Sequence, residues 1–395
     1  MVTLRDDLWG WFGLAPMAMC LCLAIQIANA EDDYPPAPLP PVVAALNVAD
    51  QITESAPPAS VAASTAAGTV PSAVAVALSA SSTVPSGSSS ASTSAATTPI
   101  ATAAPAAVEA ASATDAASLP ISWLDSYSQA MDQAKAEKKL MLIHFYRPSD
   151  QKRSEAANAG DSVVNVEKAF NQPAIREKLS GMVLTKLPID AQITVKGQTI
   201  RLLDHGAFSE LHKGPGLAVI DLAHEKTEYW GYVVSALPFT PGKYYRFHPS
   251  QVETLVNLPE GTLTQRSMIF AVRIHPEHPA STNGEYNPVL LSEATAHSDY
   301  QAQIHVQGHQ GWGERFERIL GKLLGRGEPG TPVEVVAESW PDQDLMDSCV
   351  DCVNSWRQSP GHWEAVSAKQ ASYGYDIREG TNGIWYATGI FREAH

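Results

Sequence analysis

One long tract limits what this chain can fold into. Between residues 35 and 118, 62 of 84 residues are Ala, Ser, Thr or Pro, and none is Lys, Arg or aromatic. Such a composition cannot bury enough apolar surface to offset the loss of chain entropy on folding. We therefore expect residues 31–118 to form a disordered, low-complexity stalk. The remaining residues, 119–395, are enough for two ordinary domains.

The N-terminus carries the pattern of a secretory signal. Residues 8–27 are an apolar run, and Ala28-Asn29-Ala30 follows as a small-residue cleavage site. We expect residues 1–30 to be a signal peptide and the mature protein to be secreted or periplasmic. The charged region before the run is weak, because Arg5 is offset by two acidic residues. The alternative is an uncleaved segment that anchors the protein in a membrane, since twenty residues can span a bilayer. Only then would a membrane be a partner.

Charge and cysteine content argue against two classes of protein, nucleic-acid-binding proteins and disulfide-stapled scaffolds. The chain has 42 acidic and 27 basic residues, a net charge of −15. A basic surface for nucleic acid is therefore not expected. Beyond the signal only Cys349 and Cys352 remain, so the chain is not a disulfide-stapled scaffold. They lie in a predicted helix, where buried thiols and a strained disulfide both remain open.

The region 119–240 predicts alternating helices and buried strands. Residues 123–138 carry the 3.6-residue period of an amphipathic helix, and residues 140–146 (LMLIHFY) form a continuous apolar run. Another helix is expected from Pro173, and further strands near 182–187, 217–222 and 229–234. This order predicts a layered α/β sheet. His144 is expected to be a core histidine with its hydrogen bonds satisfied.

This region resembles the thioredoxin-like fold. Gly214-Pro215-Gly216, ahead of LAVIDL, stands where that family carries its cis-proline. In redox-active members the first strand leads into C-x-x-C, but here it leads into Arg147-Pro148-Ser149-Asp150-Gln151. Thiol exchange needs a thiolate. The resemblance therefore implies a redox-inactive module with a binding or structural role.

A connecting segment, 241–284, separates this region from a second one, 285–395. The segment contains several prolines but enough apolar residues to pack between the two regions. In the second region, residues 345–356 place one apolar face on a helix. A terminal hairpin is predicted over 373–391, with its turn at Asn382-Gly383. These elements favour an α/β sandwich.

The second region also resembles a known family. The segment VNSWRQSPGHWEAV, followed by YGYDI and IWYATGIF, is similar to the C-terminal half of the CAP superfamily. That superfamily includes the cysteine-rich secretory proteins, antigen 5 and pathogenesis-related proteins of class 1 (SCP-like proteins). The resemblance implies an α-β-α sandwich. It also implies a ligand cleft lined by His309, Glu338, Ser359 and His362.

The residue types in this cleft suggest more than one chemistry. His309, Glu338 and His362 together would make an open zinc site, with one position left for water or a ligand. The alternative is a purely structural role, in which Glu338 and His362 form a buried pair. The resemblance implies binding of a lipid, a peptide or a cell-envelope ligand. The rival is a peptidase- or esterase-like hydrolase, because Ser359, His362 and Glu338 are the residue types of an acyl-transfer triad, although no nucleophile elbow precedes the serine.

Overall fold

The structure is a computed structural model that describes residues 52–53, 121–149, 166–195, 197–240, 243 and 249–393. The predicted signal and most of the predicted stalk lie outside the described residues. One part of the stalk is described: Ile52–Thr53 forms a short strand, β1, although no structure was expected there. Both residues are β-branched, which favours strand conformation. In the described ranges, no helix is long and apolar enough to cross a bilayer.

Helices and strands alternate along the described chain, so the predicted α/β class is confirmed at that level. The α-helices are α1 (Tyr127–Glu137), α2 (Val166–Phe170), α3 (Pro173–Ser180), α4 (Pro249–Val256), α5 (Leu263–Ile274), α6 (Pro288–Ile304), α7 (Trp312–Gly325), α8 (Leu345–Gln358) and α9 (Pro360–Ser367). Short 3₁₀ turns cover Leu202–Asp204, Gly206–Leu211 and Ser281–Asn283.

The first sheet has the strand order β3-β2-β6-β7. Its strands are β2 (Met141–Tyr146), β3 (Val183–Pro188), β6 (Gly216–Ile220) and β7 (Val233–Pro238). Strand β2 runs parallel to β3 and antiparallel to β6, and β7 is antiparallel to β6. Alternate residues of β2 belong to different cores: Ile143 and Phe145 pack with α1, whereas Leu142 packs with α2 and α3. The continuous apolar run of β2 is thus explained by burial on both faces.

A small hairpin that the sequence analysis did not predict follows β3. Strand β4 (Gln192–Val195) pairs antiparallel with β5 (Gln198–Arg201), and β1 pairs with the other side of β4. Gly197 sits in the turn at φ +79°, a conformation that favours glycine.

The second sheet has the order β8-β10-β11-β9 and lies between two layers of helices. Its strands are β8 (Glu285–Tyr286), β9 (Pro332–Glu338), β10 (Gln370–Glu379) and β11 (Trp385–Glu393). On one face α6 is bonded to β11, because Ser298 and Gln301 each donate to Thr388 at 3.0 Å. On the other face the Trp356 ring of α8 packs on Tyr375 of β10, with centroids 5.8 Å apart.

Helix α6 lies directly on the backbone of β10. A Cβ placed on Gly374 would come within 2.3 Å of the amide nitrogen of Leu291. Real Cβ atoms do not approach backbone so closely, so only glycine allows this contact.

Helix α5, from the segment 241–284, joins the two sheets. Its buried Arg266 donates through Nε to Ser235 Oγ on β7 at 2.8 Å. Two turns further along the helix, Arg273 Nη2 donates to the hydroxyl of Tyr373 on β10 at 3.2 Å. Apolar residues of both sheets, α5 and α8 belong to one hydrophobic cluster. The two sheets therefore share one hydrophobic core, and this core supports the second sheet.

Candidate functional site

His309 lies in the loop between α6 and α7, and buried side chains of α6 hold that loop. His297, 2 % exposed, places Nε2 2.8 Å from the carbonyl oxygen of Gly308. Gln301 accepts the Gly308 N–H at 3.0 Å. Gly311 ends the loop at φ +63°, a left-handed conformation that leads into α7. The position of His309 is thus set by the helix before it.

Glu334 is the charged residue at the centre of the site. It lies on β9 within the apolar run PVEVVA, and its side chain is almost fully buried. Arg315 of α7, itself 7 % exposed, binds it in bidentate fashion, with Nε 2.7 Å from Oε2 and Nη2 2.8 Å from Oε1. A buried carboxylate needs such a partner to offset its lost hydration.

The same carboxylate fixes the ring of His309. Nδ1 of His309 lies 2.9 Å from Oε1 of Glu334. A carboxylate that already accepts from a guanidinium can only accept again, so Nδ1 carries the proton and donates it. In the neutral ring the lone pair then sits on Nε2, the atom that points away from Glu334.

The Nε2 atom of His362 lies close to the Nε2 atom of His309, which carries that lone pair. His362 lies in the first turn of α9, which begins with Pro360 directly after α8. The Nε2 atoms of His362 and His309 are 3.4 Å apart, with the rings tilted by 48°. The 14-residue helix α8, anchored by the fully buried Trp356, leads into α9, which contacts β9.

The other two predicted cleft residues form no hydrogen bond or ion pair with these imidazoles in the described part of the chain. Glu338 is exposed at the end of β9, and its carboxylate makes no hydrogen bond or ion pair in the described part of the chain. About 13 Å of strand separates it from Glu334. Ser359 is the N-cap residue of α9, but its hydroxyl does not cap the helix. No hydrogen bond links Ser359 to His362 among the described residues.

Burial shifts several ionisable groups around the site. Desolvation, with a smaller effect of His309, lowers the pKa of His362. Burial lowers the pKa of His297 to about 4, although the nearby Glu334 opposes the shift. Although the residue is exposed, desolvation of its carboxylate raises the pKa of Glu338. At neutral pH His297 and His362 are therefore uncharged and able to act as neutral nitrogen donors or acceptors.

The geometry fits two ligands of a metal ion. Two nitrogens bound to one tetrahedral ion at about 2.0–2.1 Å lie about 3.3 Å apart, and the observed separation is 3.4 Å. Glu334 on Nδ1 of His309 is placed as an outer carboxylate that orients a ligating histidine. No set of three His, Cys, Asp or Glu residues that could hold a metal is found within the described ranges. The protein offers two ligands here, and the other positions would go to water or a bound molecule.

Sequence reasoning missed Glu334 and His297. A signal for Glu334 was present, because an acidic residue inside an apolar strand must be paired, and a nearby histidine or arginine is the expected partner. His297 gave no comparable signal, since a histidine on a helix is unremarkable until its loop partner is known.

The two cysteines of α8 are not part of the site. Cys349 and Cys352 are free thiols and are fully buried. Burial raises the pKa of both thiols. Thiolates are therefore disfavoured, and neither residue is a ready nucleophile or metal ligand.

Comparison of the chain with protein-family models gives no match, and comparison with curated proteins and with solved structures gives none either.

Proposed function

We propose that this chain is an extracytoplasmic CAP-type protein that binds a lipid, peptide or other cell-envelope ligand in the cleft of His309 and His362. A zinc ion held between the two imidazoles would give the ligand its polar anchor. The observation that carries the proposal is the 3.4 Å approach of the two Nε2 atoms, with one ring held by Glu334.

Exposed apolar residues precede His309 in the chain and follow β9. Tyr300, Ile304 and Val306 lie on the segment that leads to His309, and all three are exposed. Trp340, two residues beyond β9, is 73 % exposed. Exposed apolar side chains on these segments are suited to an apolar ligand.

The layered second sheet and the segment W-R-Q-S-P-G-H support the CAP part of this proposal. Under this proposal, the glutamate that the CAP resemblance expects in the cleft is Glu334 and not Glu338. Glu334 is the residue that contacts His309. The N-terminal region is proposed to be a redox-inactive thioredoxin-like module. Its strand order and directions support this, as does the absence of cysteine from residues 119–240.

Location outside the cytoplasm is proposed from the signal-like N-terminus, with cleavage after Ala30 giving a secreted or periplasmic form. A retained N-terminal anchor remains the alternative. Sequencing the N-terminus of the exported protein distinguishes the two.

Zinc titration tests the metal part of the proposal. Calorimetry on metal-free protein should show one zinc ion bound, and both His309→Ala and His362→Ala should lose this binding. His305→Ala is the matched control. It lies in the same loop but bonds to Thr381 at 2.8 Å, so zinc binding should be unchanged.

Ligand binding is then measured with phospholipid vesicles and with envelope extracts, before and after chelation. We expect binding that weakens on chelation and in both histidine variants. A protein that binds neither zinc nor these ligands, with unchanged behaviour in the variants, contradicts the proposal.

The hydrolase alternative uses the same cleft. A zinc-bound water between the imidazoles would serve as nucleophile. It predicts turnover of a peptide or ester that chelator and His362→Ala both abolish. Ser359→Ala should leave that turnover intact, because the serine is not bonded to His362.

A further inference from the structure

The first sheet borders a cavity of about 450 Å³ that shares no lining residue with the His309 site. Residues of β2, β3, α2 and α3 line it. Ile121, Trp123 and Phe170 contribute apolar walls, and the rings of Trp123 and Phe170 contact each other with centroids 5.1 Å apart. A volume of this size is within the range of small-molecule sites, about 300–1,000 Å³.

A buried histidine at the wall of this cavity lacks a hydrogen-bond partner. His144 of β2 lines the cavity and is 4 % exposed. Its ring lies among the apolar walls, with centroids 6.1 Å from Trp123 and 5.7 Å from Phe170. The sequence analysis expected its hydrogen bonds to be satisfied, but Nδ1 makes none within the described structure. Buried polar atoms are nearly always paired, so this one indicates a bound group that supplies the partner.

The charged and amide side chains that line the cavity already have partners. Lys186 pairs with Glu167, so their charges cancel. Asn171 donates through Nδ2 to the carbonyl oxygen of Glu167 at 2.9 Å and accepts from Nη1 of Arg176 at 3.4 Å. Arg176 makes a further interaction of its own. These side chains therefore do not require a charged ligand, whereas the His144 ring still lacks a partner.

The state of His144 indicates which polar group the ligand carries. Burial, reinforced by Lys186, lowers the pKa of His144 to about 3, so the ring is neutral at pH 7. A neutral imidazole has one N–H donor and one acceptor nitrogen, and a hydroxyl both donates and accepts. A hydroxyl can therefore bond to Nδ1 in either tautomer of the ring. An ionised group would lose its hydration among the aromatic walls without gaining a counter-charge.

We propose that this cavity binds a small, uncharged aromatic molecule that carries one hydroxyl group. Its ring lies against Trp123 and Phe170, since aromatic rings pack favourably on one another. Its hydroxyl forms a hydrogen bond with Nδ1 of His144. The inference is independent of the function proposed for the His309 cleft, because the two sites share no residue.

Three probes of similar size test the ligand class. Equilibrium dialysis at pH 7 compares 2-naphthol with 2-methylnaphthalene, which lacks the hydroxyl, and with 2-naphthoate, which is charged. We expect one naphthol per chain, bound about tenfold more tightly than either of the other probes, which is the effect of one hydrogen bond. Binding of methylnaphthalene or naphthoate as tight as that of naphthol would contradict the proposal, as would no binding of naphthol.

Replacing the histidine tests the hydrogen bond separately from the apolar contact. His144→Phe keeps a ring at this position and removes Nδ1. The affinity for naphthol should fall about tenfold, to that of methylnaphthalene, whose own affinity should stay within about twofold. His278→Phe is the control, because His278 is exposed and does not line the cavity. A preference for naphthol that persists in His144→Phe would show that His144 does not bind the hydroxyl.

A pair of asparagine variants locates the probe. Asn171 and Asn257 are both exposed, and each donates to the carbonyl oxygen four residues earlier, but only Asn171 lines the cavity. Asn171→Trp places a bulky ring at the lining and should abolish naphthol binding, whereas Asn257→Trp should leave it unchanged. Circular dichroism checks that both variants are folded. Naphthol binding that survives in folded Asn171→Trp would place the probe elsewhere and overturn the proposal.

Discussion

Nδ1 of His309 lies 2.9 Å from Oε1 of Glu334, a carboxylate buried in the middle of β9. This contact links the core of the second sheet to its functional surface. Arg315 binds the same carboxylate from α7 and keeps it oriented. The free Nε2 of His309 therefore has a fixed direction, and His362 lies in that direction.

The two glutamates of β9 should differ sharply when each is neutralised. Glu334→Gln leaves Arg315 buried without its counter-charge, so the free energy of unfolding should fall by about 3–5 kcal/mol. Glu338→Gln changes an exposed side chain and should alter stability by less than about 0.5 kcal/mol. Urea unfolding at pH 7 measures both. Equal losses in the two variants would mean that Glu334 is not the residue that organises the site.

Stability should fall when the pH is lowered through the histidine range. The pKa of His297 is about 6.5 in the unfolded chain and about 4 in the folded protein. Between these values the unfolded chain binds more protons, so stability is complete above pH 6.5 and decreases toward pH 4. The loss from His297 is about 3 kcal/mol. His144, whose folded pKa is about 3, adds to it in the same direction.

His297→Gln provides the comparison for this pH dependence. Glutamine can still donate to the Gly308 carbonyl but does not titrate. Urea unfolding of both proteins between pH 7 and 4.5 should show a shallower decline in the variant. Parallel curves would show that His297 does not stay neutral in the folded protein.

Two glycines should respond to alanine in opposite directions. Gly374→Ala pushes a methyl group into the backbone of α6, and we expect a loss of about 1–3 kcal/mol. Gly321 lies within α7 with no atom within 4 Å of an added Cβ. Because alanine is the better helix former, Gly321→Ala should stabilise the protein by about 1 kcal/mol. Thermal unfolding followed by circular dichroism compares the two. An unchanged melting temperature for Gly374→Ala would contradict the close packing of α6 on β10.

The longer elements could be predicted from the sequence because their patterns are local. The run LMLIHFY became β2, the apolar face of 345–356 became α8, and the Asn382-Gly383 turn joins β10 to β11. The hairpin of β4 and β5 was missed, although Ile193 and Val195 alternate with polar residues. Four-residue strands give little periodicity, and only the turn at Gly197 marked the place.

The site was harder to predict because its contacts are long-range. His309 and His362, 53 residues apart, were both named, and the structure brings them together. Glu338 was named from the order of residues in a family motif, and Glu334 was missed. Glu334 is buried beneath Arg315 and His309, and these long-range contacts are not specified by the local sequence. The pairing of Glu334 with Arg315 joins β9 to α7, so the residue pattern of either element alone could not predict it.

The most direct test of the His309–His362 pair is nitrogen NMR of the imidazole rings with and without zinc. The chain has 12 histidines, and His309→Gln and His362→Gln assign the two signals. Without metal, His309 should be protonated on Nδ1. On adding one equivalent of zinc, the Nε2 signals of His309 and His362 should move together while Nδ1 of His309 stays protonated. If both Nε2 signals remain in place at saturating zinc, the two imidazoles are not the metal-binding pair of this protein.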